Sequence, residues 1–218
     1  MSANLFKSFV TVASKRAPTQ RPKAGIREQR RLETRNRLYE AAVAEFQRVG
    51  FANAQIDRIV EAAGVARGTF YFHFPAKENV LLELQRRIET SVMERLARHG
   101  TVPTSVKDFL TRIIDAILEE SESIGDQDLL REILSLYLRQ PVKLNYEEEP
   151  LIGGLSRVFQ QGVENGDVRD DIPTEEITII FLVTLFGFFK GTTKAPRPER
   201  KTLHNMIEVF LHGITPKN

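Results

Sequence analysis

The chain is predicted to be all-α and built in two parts, a small three-helix unit at the front and a larger helical body behind it. Three observations carry this. Apolar residues recur at three- and four-residue spacing through nearly every segment after residue 27, and no run alternates in the manner of a half-buried strand. Gly and Pro punctuate those segments at intervals of about one helix length. The charge is divided: residues 1–100 hold 18 Lys+Arg against 10 Asp+Glu and residues 101–218 hold 13 against 19, although the whole chain carries only +2. A basic front joined to an acidic back is the electrostatic footprint of nucleic-acid binding attached to something else. At 218 residues the chain can bury a sizeable core. It has no cysteine, which removes disulfides and thiolate metal sites and suits a reducing compartment.

In chain order, Met1 to Ile26 contains no acidic residue and is rich in Ser, Thr, Pro and Lys/Arg. Pro18, Pro22 and Gly25 break any helix there, so residues 1–26 read as a disordered basic arm, one with reach enough for a neighbouring minor groove. Its composition also mimics an organellar transit peptide. Leu5 to Val12 is too short, and too interrupted by Lys7 and Ser8, for a secretory signal. A first helix follows from Arg27 to Val49, with Leu38, Ala41, Ala42, Phe46 and Val49 on its apolar face and Thr34 as a candidate cap. Gly50 ends it and Phe51 folds back as an anchor.

The most informative stretch is Gly50 to Lys77. Ile56, Ile59, Val60 and Ala63 place a short amphipathic helix over Gln55–Ala63, and Gly64 supplies a left-handed stop. Val65 plugs the corner, and a second short helix runs from Ala66 to His73 before Pro75. Two helices across a tight Gly turn make a helix-turn-helix, whose second helix fits the DNA major groove. The run Ala63-Gly64-Val65-Ala66-Arg67-Gly68-Thr69-Phe70-Tyr71-Phe72-His73-Phe74, with Lys77-Glu78 after it and Ala41-Ala42, Glu45-Phe46 and Gly50-Phe51 before it, resembles the signature of the TetR family of bacterial transcriptional regulators. The resemblance spans about residues 34–80. It implies a DNA-binding head over residues 27–75, a homodimer on a palindromic operator, and a cytoplasmic, nucleoid-associated bacterial protein. A prokaryotic head in turn favours a tail over a transit peptide for residues 1–26.

Within this head, Arg67 stands on the first turn of the recognition helix, where a guanidinium can fork onto a guanine edge or a phosphate. Gly68 allows close approach, and Thr69 offers a hydroxyl to phosphate and a methyl to thymine. Tyr71, His73 and Lys77 resemble family positions that bind phosphate. Phe70 and Phe74, four apart, belong to the core, whereas Phe72 either touches a thymine methyl or packs on the first helix. Three positions depart from the family pattern: Gln55, Ala66 and Ala76 stand where hydroxyl side chains are usual. Asn53 is then a substitute cap for the second helix and Gln55 a remaining phosphate donor.

Residues 76–218 read as the ligand-binding and dimerisation body, entered by a linking helix over 76–99 with Val80, Leu81, Leu84, Ile88, Val92 and Leu96 on its seam. Further helices are expected over Thr104–Ile124, from Asp126 to Arg139, over Leu151–Asn165, from Thr174 to Lys190 and from Pro198 to Leu211, with Tyr146–Pro150 an acidic loop. The thirteen residues Ile177–Phe189 are almost wholly apolar, yet a membrane span needs about 20; such a helix is buried between helices or between subunits. No membrane partner is expected. The resemblance implies that late helices pair across a dimer, giving Leu151, Leu155, Val158, Phe159, Ile180, Thr184 and Gly187 as interface candidates. Phe109, Ile113, Ile117, Leu134, Tyr137, Leu138, Phe159, Phe181, Leu185 and Phe188 are candidates to line a pocket for a small, largely apolar or aromatic ligand with one or two polar groups meeting Tyr137 or Thr184. No cofactor or metal site is expected, since His73, His99, His204 and His212 are scattered without metal spacing or a nucleophile and base. The function expected is a ligand-released repressor. The alternatives are a ligand-free architectural DNA-binding dimer, and a ligand-binding or enzymatic helical bundle with a vestigial head.

Overall fold

The computed structural model describes residues 25–98, 103–124, 127–139, 150–190 and 199–216, apart from the side chains at 127, 134, 136–139, 150 and 190. The basic arm over residues 1–24, the expected helix starts Asp126 and Pro198, the acidic loop before Pro150, and the side chains of Leu134, Tyr137 and Leu138 therefore lie outside it. Every regular element among the described residues is α-helical: α1 Ile26–Val49, α2 Ile56–Ala63, α3 Arg67–His73, α4 Lys77–Arg98, α5 Val106–Ile124, α6 Gln127–Arg139, α7 Pro150–Glu164, α8 Thr174–Lys190 and α9 Arg200–Ile214. None of them is long and apolar enough to cross a membrane.

The front of the chain folds around phenylalanine. Leu38, Ala42 and Phe46 of α1 close on Ile59, Val60 and Ala63 of α2, and on Phe70 and Phe74. Phe46, Phe70 and Phe74 are wholly enclosed, with the last two rings 5.9 Å apart. Truncating one such ring costs about 3–5 kcal/mol. Phe51 folds back edge-on to Phe46 at 5.1 Å, as its anchoring role requires. The α2–α3 corner depends on Gly64, whose φ of 63° and ψ of 42° are left-handed. Its N–H donates to Glu61 O, and the N–H of Val65 reaches back to Val60 O at 3.1 Å, so orphan carbonyls are satisfied as the helix stops. Gly50 turns α1 in the same sparsely allowed half of conformational space, at φ 77°.

Capping differs from expectation at two places. Thr34 lies inside α1, which begins eight residues earlier, and its hydroxyl bonds back to Arg30 O at 2.9 Å. Asn53 does not cap α2; its amide donates to Val49 O at 3.1 Å, closing α1 instead. At α5 a cap does form, with the N–H of Asp108 donating to Ser105 Oγ and the N–H of Thr104 donating to Asp108 Oδ2.

Helix α4 belongs to two cores. Val80, Leu81 and Leu84 complete the front core, which also takes in Leu129 and Ile133 of α6. Val92, Met93 and Leu96 join the rear core built from α5, α7, α8 and α9. There Phe159, Phe181 and Phe210 form a ring cluster with centroids 5.2–6.2 Å apart. Polar contacts fasten α4 to α1 as well: Glu83 accepts from Arg35 at 3.1 Å and from Arg87 at 3.1 Å, and Arg87 lies over the Tyr39 ring at 3.8 Å. A displacement of α4 is therefore felt in the front unit.

Candidate functional site

The short α3 has two faces. Phe70 and Phe74 point inward, which leaves Arg67, Gly68, Tyr71 and Phe72 as an outward stripe at i, i+1, i+4, i+5 spacing. Phe72 is 72% exposed, so it does not pack on α1; of the two expectations only the outward one survives. Tyr71 is 41% exposed, with its ring edge against Phe70 at 5.6 Å. Thr69 is half-buried at the root of the helix. Gln55 is exposed at the entry to α2, its carbonyl accepting from the N–H groups of Arg58 and Ile59.

Arg67 is engaged on both sides. It pairs with Asp57 of α2, and its Nη2 donates to the Tyr71 hydroxyl at 3.4 Å. The bond to Tyr71 and the Asp57 carboxylate both hold the guanidinium charge more firmly than in a free side chain. His73 is half-buried at the far end of α3, with the Phe72 ring edge-on at 5.1 Å. Its pKa is lowered first by burial and then by the charges of Arg35 and Arg31 on α1. Arg35 lies 4.4 Å over the Phe74 ring and keeps a buried Nη1 with no hydrogen-bond partner.

Lys77 does not project freely as a phosphate donor. Its ammonium donates to Phe51 O at 2.8 Å and Ala52 O at 3.1 Å, and sits 4.7 Å over the Phe51 ring. It pins the start of α4 to the turn after α1. Sequence reasoning missed Asp57, Arg31 and Arg35, because only folding brings α1 and α2 against α3.

Between the two cores lies a narrow, half-open apolar cavity of about 80 Å3. It is walled by Ile88 of α4, Ile117 of α5, Ile133 of α6, Leu151 of α7, and Phe186 and Phe189 of α8. Gln85, Glu89 and Ser121 give it a polar edge, with Gln85 Nε2 donating to Glu89 Oε1 at 2.9 Å. Of the pocket candidates with described side chains only Ile117 lines it. Phe109, Ile113, Phe159, Phe181 and Leu185 are fully enclosed in the rear core. Phe188 is 37% exposed on the outside, because each step along α8 turns the side chain by about 100° and hands the cavity to Phe186 and Phe189. Thr184 also faces out, its hydroxyl donating to Ile180 O.

The interface candidates divide in the same way. Leu151, Leu155, Val158 and Phe159 are buried within the chain itself, since α7 is enclosed by α4, α5 and α8. Ile180, Thr184 and Gly187 are exposed, joined by Val183 and Phe188, and Val209 of the adjacent α9 is 75% exposed.

A helix-turn-helix with an outward recognition stripe, joined through α4 to a larger helical body, is the arrangement of a DNA-binding transcription regulator. Residues 38–84 match the family model described as bacterial regulatory proteins, tetR family. Over these residues the chain is similar to the DNA-binding part of that family. It is 26% identical over 158 residues to the HTH-type transcriptional repressor AcnR of Corynebacterium glutamicum, covering 71% of this chain and 79% of that one. It is 26% identical over 140 residues to the fatty acid metabolism regulator protein of Bacillus subtilis, covering 62% and 71%. Among solved structures, Thermus thermophilus FadR, a TetR-family repressor in complex with lauroyl-CoA, superposes with a TM-score of 0.65 at 24% identity, covering 84% of this chain and 96% of that chain. The SmeT–triclosan complex superposes at 0.57 and 22% identity, covering 85% and 93%.

Proposed function

We propose that the protein is a dimeric repressor that binds a palindromic operator through α3 and releases it when a small, largely apolar ligand occupies the cavity between α4 and α8. One observation carries this: Ile88, Gln85 and Glu89 of the cavity wall stand on the helix whose preceding turns, at Val80, Leu81 and Leu84, build the DNA-binding core. Filling the cavity moves the wall, and α4 transmits the movement to the head. A 100-fold loss of operator affinity requires about 2.7 kcal/mol of discrimination between the two states. Three or four newly buried methylenes at ~0.8 kcal/mol each supply it. The lauroyl-CoA and triclosan complexes of the two structural neighbours support an apolar occupant.

The exposed stripe of Ile180, Val183 and Phe188, with Val209 beside it, supports pairing through α8 and α9. A two-fold dimer presents its recognition helices to successive major grooves about 34 Å apart. The test is selection of bound genomic fragments, followed by titration of the selected operator with and without lauroyl-CoA and triclosan. The expected result is a palindromic site whose affinity falls with ligand, and by reciprocity a ligand affinity that falls equally with operator. Equal ligand affinities in the two titrations refute induction; a non-palindromic site refutes the dimer. The Ile117→Phe variant should block the ligand effect and leave operator binding intact.

A further inference from the structure

The pair formed by Arg67 and Asp57 is out of place as a stabilising contact. Both side chains are more than half exposed, and an exposed ion pair contributes little to folding. A carboxylate on the DNA-facing side of a basic head also repels phosphates. What the pair does is geometric. Asp57 stands on the first turn of α2 and Tyr71 one turn beyond Arg67 on α3, and both take hold of the same guanidinium. Nη1 is committed to Asp57 and one Nη2 donor to Tyr71, which leaves Nε and the other donors of the planar fork to an outside acceptor. A guanidinium engaged from two helices is biased away from following the phosphate backbone as a free arginine does.

We infer that Asp57 is a specificity-determining residue: it withholds Arg67 from the phosphates and fixes its fork for the edge of one base pair, a guanine N7 and O6. This rests on α3 being the DNA-reading helix. Once the head docks and water leaves, the attraction between Asp57 and Arg67, the one Arg or Lys on α3, strengthens. The Tyr71 phenol accepts from Arg67 through its oxygen, so its own proton remains available to a phosphate, and the two exposed side chains divide the work. Arg67 reads a base and Tyr71 holds the backbone.

Removing the carboxylate should move specific and non-specific binding in opposite directions. In Asp57→Asn the charge of Arg67 is released to the phosphates. Affinity for non-specific duplex should rise and the log K against log salt slope steepen by about 0.9. Preference at one base pair of the operator should fall, on the order of tenfold. Arg67→Lys should lose the same preference without gaining non-specific affinity, since the charge is kept but the fork is gone. The measurement is a fluorescence-anisotropy titration of full-length wild type, Asp57→Asn, Arg67→Lys and the double variant. The duplexes are the selected operator, a panel with each base pair changed singly, and a scrambled duplex, at three salt concentrations. Equal changes of specific and non-specific affinity in Asp57→Asn overturn the inference, as does an unchanged base panel. Circular dichroism shows whether each variant keeps its helices; Asp57→Ser repeats the test if the amide disturbs α2. If wild type shows no salt-dependent DNA binding at all, the DNA-reading role of α3 fails instead, and the two failures are distinct.

Discussion

Lys77 offers a sharp test of whether a basic residue beside a recognition helix serves DNA or the fold. Its ammonium donates to two carbonyls, Phe51 O and Ala52 O, and lies on the Phe51 ring. In Lys77→Met the stem is kept and the charge removed. A hydrogen bond to a charged group contributes about 1.5–3 kcal/mol when shielded, and a cation on a ring about 0.5–1 at exposed sites. Lys77 is half-buried and the second carbonyl is exposed, so the discounted loss is about 2 kcal/mol. For a chain of this size that lowers Tm by about 4–8 °C. Operator affinity should fall modestly as the turn at residues 50–54 loosens and α2 loses its anchor. The log-salt slope should stay unchanged, because no phosphate loses a cation. The assays are thermal denaturation and operator titration at three salt concentrations. A slope flatter by about one, with Tm intact, would refute the staple and restore Lys77 as a direct phosphate donor, as the sequence alone suggests.

Ile180→Glu should convert the proposed dimer to a monomer in sedimentation and abolish tight operator binding while the helices persist; Leu155→Glu, in the enclosed core, should instead unfold the chain. Acid should weaken the head through His73. Its folded pKa is lowered, so at pH below its unfolded value near 6.5 the unfolded chain binds more protons and stability falls as pH falls. His73→Gln should flatten that slope in denaturant titrations between pH 7.5 and 5.5. Phe159→Ala removes a ring shared with Phe181 and Phe210 and should cost about 3–5 kcal/mol in chemical denaturation, against little for Phe188→Ala outside.

Some of this was decided by the chain itself. Helix periodicity is local, so the apolar spacings of Leu38 to Val49 and Val80 to Leu96 were enough to place α1 and α4 within a residue or two. The corner at Gly64 was equally legible, since left-handed backbone is a property of one residue and the Val60–Val65 bond closes within six. The inward pair Phe70 and Phe74 and the outward Tyr71 came from one helical period. What the sequence could not order was contact between distant segments. Ile177 to Phe189 is apolar all round, so periodicity could not tell the face sealed by Phe181 and Leu185 from the face left open at Ile180 and Val183. Nor could it tell Phe186 and Phe189, at the cavity, from Phe188, one step of about 100° away. Lys77 is a basic residue like any other until the turn at Phe51, 26 residues earlier, is folded beneath it. Asp57 and Arg67 are ten apart on different helices, and their pairing exists only because Gly64 turns one helix back across the other.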